Sequence, residues 1–170
     1  MDERMDISYL RLSKEDGDVE DGSIDESCSI QSQRTCIKQY LHGNGFSVDR
    51  LSEIIDDGYS GTTMNRPGMN RLIKLVESGK VRTIIVRDFS RFARSYLEAG
   101  HYLEFVFPVY NVRFISINDQ FDSLELGEST GGLELAIRNL INQMYSKDIS
   151  RKIKSAVDLK KLSGEFVYGT

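Results

Sequence analysis

Arginine and serine side chains that could act on a phosphate ester occur in three short stretches of the sequence. Arg11 and Ser13 stand two residues apart at the end of an apolar run, so in an extended chain they face the same side. The other two stretches contribute four further arginines, Arg66, Arg87, Arg91 and Arg94. Guanidinium groups stabilise the negative charge that develops during phosphoryl transfer, because each can donate two parallel hydrogen bonds to phosphate oxygens. This set of residue types indicates a serine hydroxyl acting on a phosphate.

The chemistry of a serine hydrolase is poorly supported by the same sequence. Its two histidines, His42 and His101, both fall within predicted helices, and neither accompanies the strand end that carries Ser13. A Ser-His-Asp triad needs a histidine within hydrogen-bond reach of the serine. Arginine is a poor base, so the group that takes the proton of Ser13 stays open.

Apolar runs that alternate with amphipathic stretches predict the elements that position these side chains. Strands are predicted at residues 7–12, 51–55, 83–86 and 112–117. Helices are predicted at residues 30–41, 67–78 and 96–107, with Gly43 or Gly45, Gly79 and Pro108 at their ends. The alternation predicts an α/β fold with a mainly parallel sheet of about four to five strands flanked by helices. Because ligands of such sheets bind outside the carboxyl ends of the strands, the serine and the arginines should share one crevice.

Residues 133–162 contain neither proline nor glycine and predict one long helix after the α/β part. At about 1.5 Å per residue this helix would extend about 45 Å, which exceeds what a small domain needs as cover. Its apolar stripe consists of Leu133, Ile137, Leu140, Ile141 and Met144, and it resumes at Ile153, Ala156 and Val157. Such a stripe needs a partner, which is either the domain itself or another subunit.

Charge is unevenly distributed along the chain, although 26 acidic against 22 basic residues leave a net charge of −4. Residues 14–26 hold seven acidic side chains and one lysine. Residues 80–94 hold five basic side chains against one acidic, and residues 147–161 hold six against two. The net charge disfavours a free-standing DNA-binding domain, whereas the two local basic zones suit contact with phosphates.

Several classes of protein are disfavoured by the composition. No apolar run approaches the roughly 20 residues of a membrane span. The charged amino terminus, residues 1–6, does not have the apolar stretch of a signal peptide. Cys28 and Cys36 are too few and too far from the histidines to suggest a zinc site. We therefore expect a cytoplasmic protein that neither enters a membrane nor holds a metal.

Five short motifs resemble, in the same order, those of the resolvase/invertase superfamily of serine site-specific recombinases. They are Tyr9-x-Arg11-x-Ser13, Ser29-Ile30-x-x-Gln33, Asp57-x-x-Ser60-Gly61, Asn65-Arg66-Pro67-Gly68 and Asp88-Phe89-Ser90-Arg91-Phe92-x-Arg94. The match covers most of residues 5–163 and is specific as a set. A serine stands at position 90, where small resolvases often have an acidic residue, which makes the chain more similar to the large serine recombinases of mobile elements. The acidic loop after Ser13 is also longer than in the small resolvases, so no loop role is carried over there.

The resemblance implies a site-specific DNA recombinase that uses no cofactor, metal or small-molecule substrate. Ser13 would attack a DNA phosphodiester and form a covalent 5′-phosphoserine intermediate. The residues implied to hold the scissile phosphate are Arg11, Arg66, Arg91 and Arg94, with Gln33 and Asp57 as supporting polar residues. The partners would be double-stranded DNA and further copies of the chain, in a homodimer and a synaptic homotetramer. The long helix would contact other subunits through its apolar stripe and DNA through Arg151, Lys152 and Lys154.

Three regions are expected along the chain. Residues 1–130 would form the α/β catalytic domain, and residues 131–163 the long helix for oligomerisation and DNA contact. Residues 164–170 resemble the entry into the next domain of the large enzymes, so we expect them to begin a following domain.

Two other classes of function fit parts of the sequence. Four acidic residues near predicted strand ends, Asp56, Asp57, Asp88 and Asp119, could bind Mg²⁺ in a metal-dependent phosphoryl-transfer enzyme. Their simpler role is to cap helices and to pair with arginines. Alternatively, the chain could be a non-catalytic module whose long helix serves oligomerisation. Such a module would tolerate alanine at Arg11, Ser13 and Arg91, which a recombinase would not.

Overall fold

The described part of the protein is built around a five-stranded β-sheet. The computed structural model describes residues 3–12, 26–59, 64–93, 96–127, 146, 149–150 and 153–163. The strands are β1 (Met5–Leu12), β2 (Leu51–Asp57), β3 (Val81–Val86), β4 (Arg113–Ser116) and β5 (Phe121–Asp122), in the order β2-β1-β3-β4-β5. The strands β1 to β4 are parallel, and β5 runs antiparallel to β4. The parallel strands therefore all end at one edge of the sheet.

Helices cover both faces of this sheet. They are α1 (Glu26–Gly43), α2 (Pro67–Glu77), α3 (Phe89–Phe92), α4 (Tyr96–His101), α5 (Phe107–Val109) and α6 (Ser123–Gly127). A 3₁₀ turn at Val48–Arg50 precedes β2, and a π-helical turn at Tyr102–Val106 joins α4 to α5. Among the residues that the structure describes, no helix has the length and apolar character needed to cross a membrane.

The central strand β1 sends alternate side chains into two separate apolar cores. Ile7 and Tyr9 pack with residues of α2 and α3 on one face, whereas Leu10 and Leu12 pack with α1 on the other. Burial of each such side chain contributes about 1.5–3 kcal/mol to folding. Because side chains alternate along a strand, Arg11 projects to the same face as Tyr9. The sheet thus directs Arg11 towards α2 and α3.

The predicted α/β class, with a mainly parallel sheet of about four to five strands flanked by helices, is confirmed. The strand β5 was not predicted, because two residues carry no usable periodicity. The helix predicted to stop at Pro108 ends at Val109 instead. Pro108 has no N–H to donate, and the π turn immediately before it, closed by the N–H of Phe107 on the carbonyl of Tyr102, accommodates it within the last helical turn.

The carboxyl-terminal helix is present where the structure describes it. Ser146, residues 149–150 and residues 153–162 are helical, within the range predicted for the long helix. The predicted boundary at residue 130 and the predicted following domain at 164–170 lie outside the described residues. Ile153, Leu159 and Leu162 are exposed, Leu162 by 85%. Apolar side chains of this kind gain about 25 cal/mol for each Å² that a partner covers.

Candidate active site

Segments from the ends of three parallel strands meet at the carboxyl edge of the sheet. Arg11 precedes the last residue of β1, and Asp56 precedes the last residue of β2. The short helix α3, which carries Arg91, follows β3. Arg66, in the N-cap position of α2, bridges these segments. Three of the arginines singled out in the sequence are therefore brought together.

Arg11 is fully buried, and its guanidinium group joins two other segments to β1. Its Nη1 donates to the carbonyl of Tyr59 at 2.9 Å, and its Nη2 donates to the carbonyl of Ser90 at 3.1 Å. In return, Nη1 of Arg91 donates to the carbonyl of Arg11 at 3.1 Å. Because buried charges are costly unless they are hydrogen-bonded, this exchange fixes the end of β1 to α3.

The side chain of Gln33, on α1, takes the place of a strand neighbour beside Arg11. The described register of β1 with β3 ends at the pair Ser8 and Ile85, three residues before Arg11. Nε2 of Gln33 donates to the carbonyl of Arg11 at 3.1 Å. The N–H of Arg11 donates to Oε1 of Gln33 at 3.3 Å. The buried amide thus satisfies both main-chain groups of Arg11, which are otherwise costly to bury. Gln33 therefore holds the main chain at the end of β1, and its supporting role in the chemistry stays a prediction.

Asp88 holds together the charged and polar groups around α3. Its carboxylate accepts hydrogen bonds from the hydroxyl of Ser90 and, at 3.0 Å, from Nε of Arg87. Nε of Arg91 lies 3.5 Å from the same carboxylate. Burial acts to raise the pKa of Asp88, but Ser90 and the two guanidinium groups outweigh it and hold this pKa below its usual value. Asp88 is therefore ionised at neutral pH and helps to set the position of Arg91.

Acid should remove the stabilisation that Asp88 provides. Its pKa is lowered in the folded state, so its contribution is complete above the unfolded pKa of about 3.9 and is lost as the pH falls through the lower folded value. We expect Asp88→Asn to lower the free energy of unfolding most at pH 7, with the difference from wild type shrinking below about pH 5. Urea denaturation between pH 7 and pH 3 measures this. Asp158→Asn, on the exposed terminal helix, controls for loss of one negative charge, and a pH-independent difference for Asp88→Asn would contradict the expectation.

The helix α3 is anchored at its amino end by Asp119, which follows β4. The N–H of Phe89 donates to Oδ2 of Asp119 at 2.6 Å, and the hydroxyl of Ser116 donates to the same oxygen at 2.7 Å. Phe89 and Phe92 are buried in the core beneath the helix. A helix of four residues is unstable alone because so few of its hydrogen bonds are internal. These contacts therefore keep Arg91 in place.

Arg66 lies in a buried polar network in which Tyr9 takes a part that the sequence did not indicate. Its Nε donates to the hydroxyl of Tyr9 at 2.7 Å and lies 3.4 Å from the carboxylate of Asp56. Its Nη2 donates to the carbonyl of Phe92. The hydroxyl of Tyr9 in turn donates to Asp56 at 2.6 Å. Burial, only partly offset by the charge of Arg66, raises the pKa of Tyr9, so this hydroxyl keeps its proton and remains a donor.

The carboxylate of Asp56 also caps α2. Arg66 occupies the N-cap position but makes no side-chain cap bond. The N–H groups of Gly68 and Met69 instead donate to Oδ1 and Oδ2 of Asp56 at 2.7 and 2.9 Å. An acid at this place satisfies amides that the helix leaves unpaired and complements the helix dipole. A Cβ atom at Gly68 would lie 2.8 Å from Cγ of Asp56, so only glycine fits without movement.

Gly68→Ala should destabilise the fold. The added methyl group must push away a carboxylate that already makes two cap bonds, and overpacking of this kind costs about 1–3 kcal/mol. Gly43→Ala, at the end of α1, is the matched control because nothing lies within 4 Å of its added Cβ. We expect the control to change the free energy of unfolding by less than about 1 kcal/mol. Equal effects of the two substitutions in urea denaturation would show that the close approach at Gly68 is unimportant.

Other predicted site residues are either outside the described residues or away from this network. Those outside are Ser13, Arg94, Arg151, Lys152, Leu133, Ile137, Leu140, Ile141 and Met144. Lys154 is exposed on the carboxyl-terminal helix. Asp57 is exposed and, because strand side chains alternate, projects to the opposite face of β2 from Asp56. The buried acid at this edge is therefore Asp56, and the supporting role of Asp57 stays a prediction.

Three of the four acidic residues considered as Mg²⁺ ligands have other partners in the structure. Asp56 caps α2 and pairs with Arg66, and Asp88 pairs with arginines. Asp119 anchors α3. Within the described ranges, no group of three or more His, Cys, Asp or Glu side chains is arranged to hold a metal ion. For these three residues the contacts are the capping and pairing roles that were the simpler explanation.

The fold is similar to several solved structures. One is the N-terminal catalytic domain of TP901-1 integrase, with a TM-score of 0.59 and 24% identity over 87% of this chain and 98% of that one. A resolvase family site-specific recombinase from Streptococcus pneumoniae has a TM-score of 0.58 and 23% identity, over 95% and 100%. The C-terminal catalytic domain of ISC1926 TnpA, an IS607-like serine recombinase, has a TM-score of 0.53 and 21% identity, over 95% and 99%. At these identities the similarity concerns the fold.

Sequence comparison places the chain in a family. No curated protein matches it. The family model described as "Resolvase, N terminal domain" matches residues 7–166, which is nearly the whole chain. This range includes every motif on which the resemblance rests, from Tyr9 to Arg94. The chain therefore belongs to the resolvase family.

Proposed function

We propose that this domain carries out the chemical steps of site-specific DNA recombination, with Ser13 as the nucleophile. Family membership supports recombination as the general activity. The observation that carries the serine mechanism is the reciprocal bonding of Arg11 and Arg91 at the end of β1. Ser13 follows Arg11 by two residues, so one member of this pair of arginines stands close to it in sequence.

In the proposed cleavage step, Oγ of Ser13 attacks the phosphorus of a DNA phosphodiester. A bond forms between Oγ and phosphorus, the bond from phosphorus to the 3′ oxygen breaks, and this oxygen leaves as a 3′ hydroxyl with a proton. The 5′ end stays attached to the protein as a phosphoserine. Religation is the reverse attack by a 3′ hydroxyl. One ester replaces another in each direction, so no ATP, metal or cofactor is needed for the energy balance.

The arginines would stabilise the charge on the non-bridging oxygens during this exchange. One preorganised donor of this kind typically lowers a barrier by about 3–4 kcal/mol. Of the three arginines brought together at this edge, Arg91 is the most exposed, with 12% of its side chain accessible, whereas Arg11 and Arg66 are almost completely buried. We infer that Arg91 is the first of these to contact the phosphate, and we propose that Arg94 contacts it as well. Arg11 and Arg66 hold the segments that carry the site.

Trapping the covalent intermediate tests the proposal. The natural full-length protein would be incubated with labelled duplex DNA that spans the surroundings of its own gene, then denatured, digested and analysed by mass spectrometry. A phosphoserine-linked nucleotide at residue 13, formed equally well in EDTA, is expected. DNA nicking that requires Mg²⁺ and yields no protein-linked DNA would instead support the metal-dependent alternative.

The carboxyl-terminal helix is proposed to join subunits and to reach DNA. Ile153 continues the apolar stripe of the sequence, and it is exposed in the single chain. Lys154, next to it, is exposed as well. We propose that the stripe is covered by other copies in a homodimer and a synaptic homotetramer. Arg151, Lys152 and Lys154 would contact the DNA phosphates.

The 170-residue chain should self-associate yet bind DNA weakly. Its net charge of −4 opposes general attraction to a phosphate backbone, whereas its apolar stripe favours pairing of subunits. Sedimentation at several concentrations measures the self-association, and a salt-titrated gel shift measures the DNA affinity. Ile153→Asp should reduce self-association, and Val109→Asp, at an exposed apolar position on α5, should not. A protein that stays monomeric at all concentrations would contradict the expected self-association. Tight site-specific binding would contradict the expected weak DNA affinity.

A further inference from the structure

Asp56, the buried acid near the end of β2, makes more contacts within the site than the capping of α2 alone requires. Asp56 is 2% exposed. Its two oxygens accept hydrogen bonds from the hydroxyl of Tyr9 and from the N–H groups of Gly68 and Met69. Its Oδ2 also lies 3.4 Å from Nε of Arg66. A single carboxylate thus connects β1, β2 and the start of α2.

Tyr9 carries this connection to Arg66 and to the strand that bears Arg11. Its hydroxyl donates to Asp56 and accepts from Nε of Arg66, so it sits between the acid and the guanidinium group. The guanidinium carbon of Arg66 also lies 5.5 Å from the centre of the Tyr9 ring. Tyr9 and Arg11 project to the same face of β1.

The far end of the Arg66 guanidinium group reaches α3. Its Nη2 donates to the carbonyl of Phe92 and lies 3.5 Å from the carbonyl of Arg91. A displacement of Arg66 would therefore also release the carboxyl end of the helix that carries Arg91. The chain of contacts runs from Asp56 through Tyr9 and Arg66 to Arg91.

We propose that Asp56 is a positioning residue for DNA cleavage, acting through Tyr9 and Arg66 to fix the placement of Arg91. It touches neither DNA nor the reacting atoms. The inference rests on the proposed function, because the step that it serves is the attack of Ser13 on a phosphodiester.

Two substitutions remove the connection with little change in shape. Tyr9→Phe deletes only the hydroxyl that links Asp56 to Arg66. Asp56→Asn removes the charge and places an NH₂ group among donors that all need an acceptor. Misplacement of a catalytic group by about 1 Å can cost about 100-fold in rate, so we expect single-turnover cleavage to slow by about 10- to 100-fold. The affinity for the same DNA should change by less than about twofold, because only the transition state needs the placement.

Asp6→Asn is the matched control for simple loss of stability. Asp6 is equally buried and is paired with Arg82, but it lies near the amino end of β1, at the opposite edge of the sheet. It should therefore lower the denaturation midpoint without slowing cleavage at a temperature where the protein stays folded.

An independent readout is hydrogen exchange of the Nε–H group of Arg66, followed by NMR. Exchange should become faster in Tyr9→Phe and Asp56→Asn and stay unchanged in Asp6→Asn.

The possible results separate the two proposals. Wild-type rates in Tyr9→Phe and Asp56→Asn, from a protein that forms the Ser13 adduct, would overturn the positioning role and leave the proposed function intact. Equal slowing by Asp6→Asn would also overturn it, since stability alone would then explain the loss. No adduct with the wild-type protein would remove the proposed function and this inference together.

Discussion

Alanine at position 13 is expected to abolish covalent attachment to DNA. Without Oγ no protein–phosphate bond can form, and the loss of a serine nucleophile in a hydrolase lowers kcat by about 10⁶-fold. The effect on folding should be small, because substitution of a single hydroxyl away from special features changes stability by about 0.5 kcal/mol or less. Denaturing gels of labelled DNA after incubation with the full-length protein measure the adduct directly.

Ser52→Ala is the matched control for this substitution. It deletes the same hydroxyl from an exposed position on the neighbouring strand β2, and it should leave adduct formation unchanged. DNA affinity, measured by gel shift, should be the same for wild type and both variants. An adduct that persists in Ser13→Ala would disprove the assignment of the nucleophile.

Arg91→Lys should be almost as damaging to cleavage as Arg91→Ala. In the structure one end of this guanidinium group donates to the carbonyl of Arg11 while its Nε faces Asp88 at 3.5 Å. A lysine ammonium is a single point donor and cannot make both contacts with the same geometry or grip two phosphate oxygens in a plane. We expect a loss of about 10²–10³-fold in the cleavage rate for either variant, measured under single-turnover conditions.

Arg113→Lys shows what the same exchange costs elsewhere in the protein. Arg113 grips Asp122 with both Nε and Nη2, but it begins β4 and so lies at the amino edge of the sheet. This variant should cleave DNA at close to the wild-type rate. If Arg91→Lys also cleaved normally, then only positive charge would matter at position 91, or the residue would be peripheral.

Much of the sheet was predictable because its inner strands, such as β1 and β3, are buried on both faces. Continuous apolar runs, such as the one that forms β3, need no knowledge of register to be recognised. Two features could not be predicted, because they depend on contacts with other parts of the chain. The strand β5 is only two residues long, and its pairing depends on β4 being beside it. The π turn at Tyr102–Val106 depends on the accommodation of Pro108 near the end of the helix.

The arginines were predictable as a group, and so was the pairing of nearby acids with them, but which of Asp56 and Asp57 is the buried partner was not. The sequence Ile54-Ile55-Asp56-Asp57 offers two apolar and two acidic residues in a row, so its pattern gives no indication of which acid faces the interior. Only the register of β2 against β1 decides that Ile54 and Asp56 are buried and that Ile55 and Asp57 are exposed. One signal was nevertheless present. A helix that starts after Arg66 has no capping side chain at its N-cap position, which leaves its first amides open to an acceptor from elsewhere in the chain.

The close approach of Gly68 to Asp56 links two positions that are twelve residues apart. A side chain at position 68 and a carboxylate at position 56 cannot occupy the same space. Natural relatives should therefore change the two positions together: sequences with a larger residue at 68 should carry a smaller one at 56, and should recruit another acceptor for the first amides of α2. Substitutions at these two positions are therefore coupled, and a designed change at either one requires a compensating change at the other.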